Sequence, residues 1–93
     1  MTIRFFAYYR NPEYAGCREM ILPAASTLRE LGEELCRRFG RPFEDEFFSP
    51  DRTALGQKVI IMINGRRAEF LQGLDTPLRE SDLVQIFPVV AGG

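Results

Sequence analysis

Histidine is absent from all 93 residues. Its absence removes the commonest general base and the commonest transition-metal ligand. Cysteine is scarce: there are two, Cys17 and Cys36, without CxxC spacing and too few for a structural zinc site. One disulfide is arithmetically possible. With no secretory features, two reduced thiols in a cytoplasmic protein are the expectation. No apolar run nears membrane-spanning length, and no signal-peptide pattern is present. The net charge of −1 gives no electrostatic case for nucleic acid or an anionic membrane as partner. Lysine is reduced to Lys58 alone, read as a solvated edge residue. No glycine-rich phosphate loop occurs, because the glycines are isolated until the end. Without histidine, no nucleophile–base pair can be assembled, so independent catalysis is not expected.

What is present reads as one α+β domain. In residues 2–10, Ile3, Phe5, Ala7 and Tyr9 alternate with Arg4, Phe6, Tyr8 and Arg10, the period of a strand. Asn11-Pro12 and Ala15-Gly16 interrupt it, and residues 17–22 form a second short run, giving a hairpin. Leu28, Leu31, Leu35, Cys36 and Phe39 recur at helical spacing over 27–39. Thr27 with Glu30 predicts a capping box, Gly40 suits the position past the end, and Pro42 is read as preventing continuation. Cys36 then reads as core filler rather than a reactive thiol.

Residues 41–57 lack clear periodicity, with Phe43, Phe47 and Phe48 expected to tack the segment onto the body. Glu44, Asp45 and Glu46 read as a solvated charge run rather than a metal or acid–base site. The β-branched run 58–64 predicts a central strand, and Asn64-Gly65 a tight hairpin turn returning through 66–70. Asp75-Thr76-Pro77 is expected to lead into a helical turn, and 83–87 to form the last strand. The order β-β-α-β-β-β predicts a mixed sheet of about five strands on one main helix, with the first and last strands side by side in the middle.

Period-two alternation then sorts the sheet faces. Ile3, Phe5, Val59, Ile61, Ile63, Val84 and Ile86 would face the helix. Phe6, Tyr8, Ile60, Met62 and Phe87 would share the opposite face, an exposed apolar patch of the kind that marks a protein interface. The alternative is that segment 41–57 folds over this face and buries it as a second small core. The last residues, Phe87 to Gly93, end on two glycines, and on base rates such an end is a frayed terminus.

The chain resembles the MoaD/ThiS family of β-grasp, ubiquitin-like sulfur carriers, most closely the small subunit of molybdopterin synthase in its longer archaeal-type form. The residues that carry the likeness span the chain: Phe5-Phe6-Ala7, Ala15-Gly16, Leu22-Pro23, Thr27-Leu28, Val59 to Gly65, Leu74 to Leu78, and Ile86 to Gly93. Two positions depart from the pattern: Val89 replaces a usual second proline, and Glu80-Ser81-Asp82 replaces a usual Asp-Gly-Asp turn.

The resemblance implies a β-grasp domain over 1–88 and a flexible tail over 89–93. It implies that the Gly93 carboxylate is adenylated by a ubiquitin-activating-like enzyme using ATP, then converted to a thiocarboxylate. A larger synthase subunit would accept the tail and pass the sulfur to a pterin precursor. Gly92 and Gly93 would enter a channel too narrow for any Cβ. Pro88 would stiffen the exit from the last strand, and Pro88, Val89, Val90 and Ala91 would contact the partner. No cofactor bound by this chain itself is implied. Sulfur carriage for another pathway, conjugation to proteins through Gly93, and an inert interaction module remain alternatives.

Overall fold

Alternation builds the first strand as expected. In the computed structural model, which describes residues 1–6, 19–23 and 26–89, β1 (Thr2–Phe5) buries Ile3 and Phe5 and exposes Arg4. β2 (Glu19–Ile21) pairs antiparallel with it, Ile3 opposite Met20. Residues 7–18, which include Ala7, Tyr8, Tyr9, Arg10 and Cys17, lie outside the described residues.

The helix α1 (Leu28–Phe39) follows from its apolar stripe, burying Leu28, Leu31, Gly32 and Leu35. Thr27 caps it, its Oγ1 accepting the Glu30 N–H at 3.3 Å. The expected capping box is shifted by one residue. The Glu30 carboxylate accepts the N–H of Ser26, not that of Thr27, at 3.0 Å. Gly40, at φ 88°, ends the helix, and its N–H is held by the Cys36 carbonyl at 2.8 Å. That positive φ suits a residue without a Cβ.

A second helix then starts where none was expected. α2 (Arg41–Phe47) places Pro42 in its first turn, where a missing N–H forfeits no helical bond. Pro42 therefore stops the first helix and opens the next. Phe43 and Phe47 are fully buried and Phe48 nearly so, as expected of anchors. Phe43 meets Phe5 at 6.5 Å and Phe39 at 5.6 Å between ring centroids. The segment thus packs on the same side of the sheet as α1 and enlarges the main core. It does not form a second core on the outer face.

The remaining strands are β3 (Val59–Ile63), β4 (Arg66–Arg67) and β5 (Leu83–Pro88). β3 alternates buried and half-buried residues, with Val59, Ile61 and Ile63 inside. Asn64 at φ 52° and Gly65 at φ 84° make the tight turn, the left-handed pair such a turn requires. The return strand is shorter than expected. After Arg67 the chain enters a 3-10 turn, Ala68–Phe70, which turns Ala68 into the core at 0% exposure. A second 3-10 turn, Gly73–Asp75, precedes Thr76-Pro77 rather than following it. Thr76 closes that turn, its hydroxyl accepting the Gln72 N–H and donating to the Gly73 carbonyl at 3.1 and 2.7 Å. Its carbonyl accepts the Leu28 N–H at 2.9 Å, tying this connection to the start of α1.

The sheet order is β2-β1-β5-β3-β4, with β1 and β5 parallel and the other pairs antiparallel. The first and last strands are neighbours in the middle, as the element order predicted. Both helices lie on the inner face, so the architecture is an α+β roll with two helices where one main helix was expected.

Candidate functional site

The outer face is assembled by register. Ile60 stands opposite Phe87 and Met62 opposite Gln85 on β3 and β5, while Arg4 pairs with Gln85 on β1 and β5. Beyond β1, Phe6 stacks on Phe87, centroids 4.4 Å apart and planes 11° from parallel. Phe6, Ile60, Met62 and Phe87 therefore do share the face opposite the helices, each half-buried. Tyr8 lies outside the described residues. The face is graded. Phe6, Phe87 and Ile60 form an apolar row. The next row is polar and charged apart from Met62: Glu19, Arg4, Gln85, Met62 and Arg67 follow one another across the strands. Arg4 Nε binds the Glu19 carboxylate at 2.8 Å.

The apolar row lies at the end of β5 from which residues 89–93 continue. Val89 is the last described residue, 41% exposed, and its N–H donates to the Lys58 carbonyl at 2.9 Å. At the other end of the ladder the Asn64 N–H donates to the Leu83 carbonyl at 2.9 Å. In an antiparallel pair, hydrogen-bonded and non-hydrogen-bonded positions alternate. These two bonds therefore make Val59–Pro88 a non-hydrogen-bonded position. Pro88 costs the β3–β5 ladder nothing, because its nitrogen faces the β1 side. There, having no N–H, it cannot donate the next bond of the parallel ladder after the Phe6 N–H to Ile86 carbonyl bond of 3.1 Å. Among the described residues the last bond to β1 is the one at Ile86, while β3 holds Val89. Val90, Ala91, Gly92 and Gly93 lie outside the described residues. A groove of about 490 Å³ opens beside this exit, lined by Val89, Ile60, Val59, Leu55, Arg67 and Leu74 among others.

Titratable groups with displaced pKa values lie away from this face. Burial pushes the Cys36 thiol up, and its side chain packs against the core, which agrees with a filler role. The Arg37 and Arg38 guanidiniums bonded to Glu34 hold its carboxyl below the ordinary range. Glu44 of the acidic run is ion-paired with Arg52, and Arg52 lies over the Phe48 ring at 4.4 Å. Among the described residues no cluster of three His, Cys, Asp or Glu could hold a metal, and no helix is long and apolar enough to cross a membrane.

Sequence reasoning placed Phe6, Ile60, Met62 and Phe87 on this face, with Gln85 outward and Arg4 and Arg67 as polar rim, but missed the Phe6–Phe87 stack and the alignment of the polar residues into one row. Both depend on the parallel β1–β5 register, to which no local sequence signal points.

A five-stranded mixed sheet in this order, clasping its helices on one face, defines a ubiquitin-like β-grasp protein whose last strand runs directly into the residues carrying the double glycine. The chain belongs to the ThiS family, whose model matches residues 3–93, a group of ubiquitin-like sulfur carriers and modifiers. It is 32% identical to small archaeal modifier protein 3 of Haloferax volcanii, over 100% of this chain and 98% of that one. The solution structure of small archaeal modifier protein 1 from Methanosarcina acetivorans aligns with a TM-score of 0.78 at 28% identity, over 99% of this chain and 94% of that one. A Pyrococcus furiosus protein assigned as molybdopterin converting factor subunit 1 aligns with a TM-score of 0.66 at 30% identity, over 96% and 95%.

Proposed function

We propose that this chain is a sulfur carrier that acts through the carboxylate of Gly93, as the small subunit of a molybdopterin synthase. The observation that supports this most is the apolar row of Phe6, Phe87 and Ile60 at the root of the tail. A carboxylate is a poor electrophile until it carries a good leaving group. The activating partner, an adenylyltransferase of the ubiquitin-activating type, transfers AMP from ATP to Gly93. The terminal sulfur of a donor persulfide then displaces AMP to give an acyl disulfide, and a second thiol on the sulfur-donating partner cleaves its S–S bond, leaving the thiocarboxylate and a disulfide on that partner. The body docks through its outer face while Gly92 and Gly93 enter the partner's channel. The large synthase subunit next receives the same tail, and the sulfur passes to a pterin precursor. The chain itself supplies no catalytic group and binds no cofactor; ATP belongs to the activating enzyme. This cycle is placed in the cytoplasm.

A second reading is that Gly93 forms an isopeptide bond with lysines of other proteins. The likeness to small archaeal modifier protein 3 along the whole chain favours it. Co-expression with a cognate activating enzyme separates the two. Intact mass is expected to rise by the difference between sulfur and oxygen. Covalent ladders on a gel without that shift would favour the modifier, and the absence of both would overturn both readings in favour of an inert interaction module.

A further inference from the structure

Lysine is the scarcest charged side chain in this protein, Lys58 standing against eleven arginines, and the fold puts it at the root of the tail. Lys58 is exposed. Its carbonyl accepts the Val89 N–H at 2.9 Å, one step beyond the Val59–Pro88 pair of the β3–β5 register. Residues opposed in this way have Cα atoms about 5.5 Å apart. The residue from which the last four depart is therefore beside the one side-chain amine of the sequence.

The chain has one other amine, on Met1, and distance excludes it. Met1 precedes Thr2, which pairs with Leu83 at the start of β5, whereas the tail leaves past the far end of that strand. At about 3.3 Å per residue, Met1 and Val89 are separated by at least roughly 20 Å. Val90 to Gly93 span at most about 14 Å when fully extended. The Met1 amine is also engaged: the residue is 6% exposed, and the amine donates to the Leu22 carbonyl at 2.7 Å. The arginines do not compete, because a guanidinium stays protonated and offers no free nitrogen pair. Of the amines, only Lys58 Nζ, on its flexible four-carbon stem, lies within the tail's reach.

We propose that Lys58 Nζ is an internal acceptor for the activated Gly93 carboxyl. The step rests on adenylation of Gly93. The neutral amine attacks the acyl carbon, a C–N bond forms as the C–O bond to AMP breaks, AMP departs, and the surplus proton on nitrogen passes to solvent. Nothing is oxidised or reduced. The product is an isopeptide ring within one chain, one water lighter than the parent. A short flexible tether holds its ends at an effective concentration on the order of millimolar, so closure outruns attack on a second copy when chains are dilute. Water competes, but hydrolysis restores the carboxylate, which can be adenylated again. The ring cannot, so it accumulates. An acyl-adenylate that meets no sulfur is thereby retired, with no carboxylate left to present to any partner.

The test incubates the full chain with its cognate activating enzyme and ATP, without a sulfur donor, and follows pyrophosphate release and intact mass. A species one water lighter is expected to accumulate at a fractional rate independent of chain concentration. Proteolytic digestion should find the peptide containing Lys58 joined to the one ending at Gly93. Adding a persulfide donor should suppress the species at least tenfold. Lys58→Arg keeps the charge and the backbone carbonyl, so initial pyrophosphate release should match the parent while the lighter species falls at least tenfold. Pyrophosphate release without a lighter species, a lighter species that persists in Lys58→Arg, or Gly93 joined instead to Met1 or to a second copy would overturn the inference and leave Gly93 activation standing. Absence of pyrophosphate release would overturn the activation of Gly93 and the inference with it.

Discussion

Single residues decide how closely the two helices approach. Gly32 lies mid-helix, where its backbone freedom is a cost, yet an added Cβ there would fall 2.2 Å from the Phe47 ring. The glycine is the space into which α2 packs. Gly32→Ala is expected to destabilise the fold by about 1–3 kcal/mol, the usual cost of overpacking. Thermal unfolding should show a midpoint several degrees lower, and an unchanged midpoint would contradict the close packing. Cys36 gives a second prediction at this scale. Burial raises its pKa, so the nucleophilic thiolate is scarce at neutral pH. Alkylation mapped by mass spectrometry should be slower at Cys36 than at a model thiol, and should accelerate only as pH rises above the ordinary thiol range.

At the scale of elements, α2 is an unexpected component and one of the most deeply anchored. Phe39, Phe43 and Phe47 recur four apart, and Phe43 and Phe47 stack at 5.6 Å with planes 28° from parallel. Phe43→Ala removes a fully buried ring and should cost about 3–5 kcal/mol, a large part of the roughly 5–15 kcal/mol that holds an ordinary domain folded. Chemical denaturation measures it, and a loss below about 1 kcal/mol would mean α2 is peripheral. The four-residue spacing was visible in the sequence, but the Gly40–Pro42 break masked it: a proline that stops one helix also begins another. Elements set by local chemistry were legible: the capped stripe of α1, the Asn64-Gly65 turn and the two-residue period of β3. The return strand after Arg66 was overestimated because burial of Ala68, a tertiary demand, bends the chain into a 3-10 turn. Of the candidate site, the face of Ile60, Met62 and Phe87 followed from alternation, while the stacking of Phe6 on Phe87 depends on the register of the parallel β1–β5 pair, which the predicted neighbourhood of the two strands does not fix.

At the scale of the whole molecule, stability and delivery are separated along β5. The inward residues Val84 and Ile86 are fully buried, whereas Phe87 points outward and the bond from Val89 to Lys58 is the last described tie to the sheet. Substitutions on the two sides of this boundary should therefore divide their effects. Phe87→Asp forfeits the ring stack, worth about 0.5–1.5 kcal/mol, and places a charge in the apolar row. The fold should survive with a modestly lower midpoint, while the rate of thiocarboxylate formation with the activating enzyme falls tenfold or more. Gly92→Val acts on the tail alone. Its unfolding midpoint should match the parent, because the buried core is built from residues up to Ile86, yet sulfur loading should cease if the partner's channel excludes a Cβ. Melting curves and intact-mass kinetics on both variants check the division. A Gly92→Val chain that acquires sulfur at the parent rate would show that the channel admits side chains, and a Phe87→Asp chain that loads normally would show that the outer face is not where the body docks.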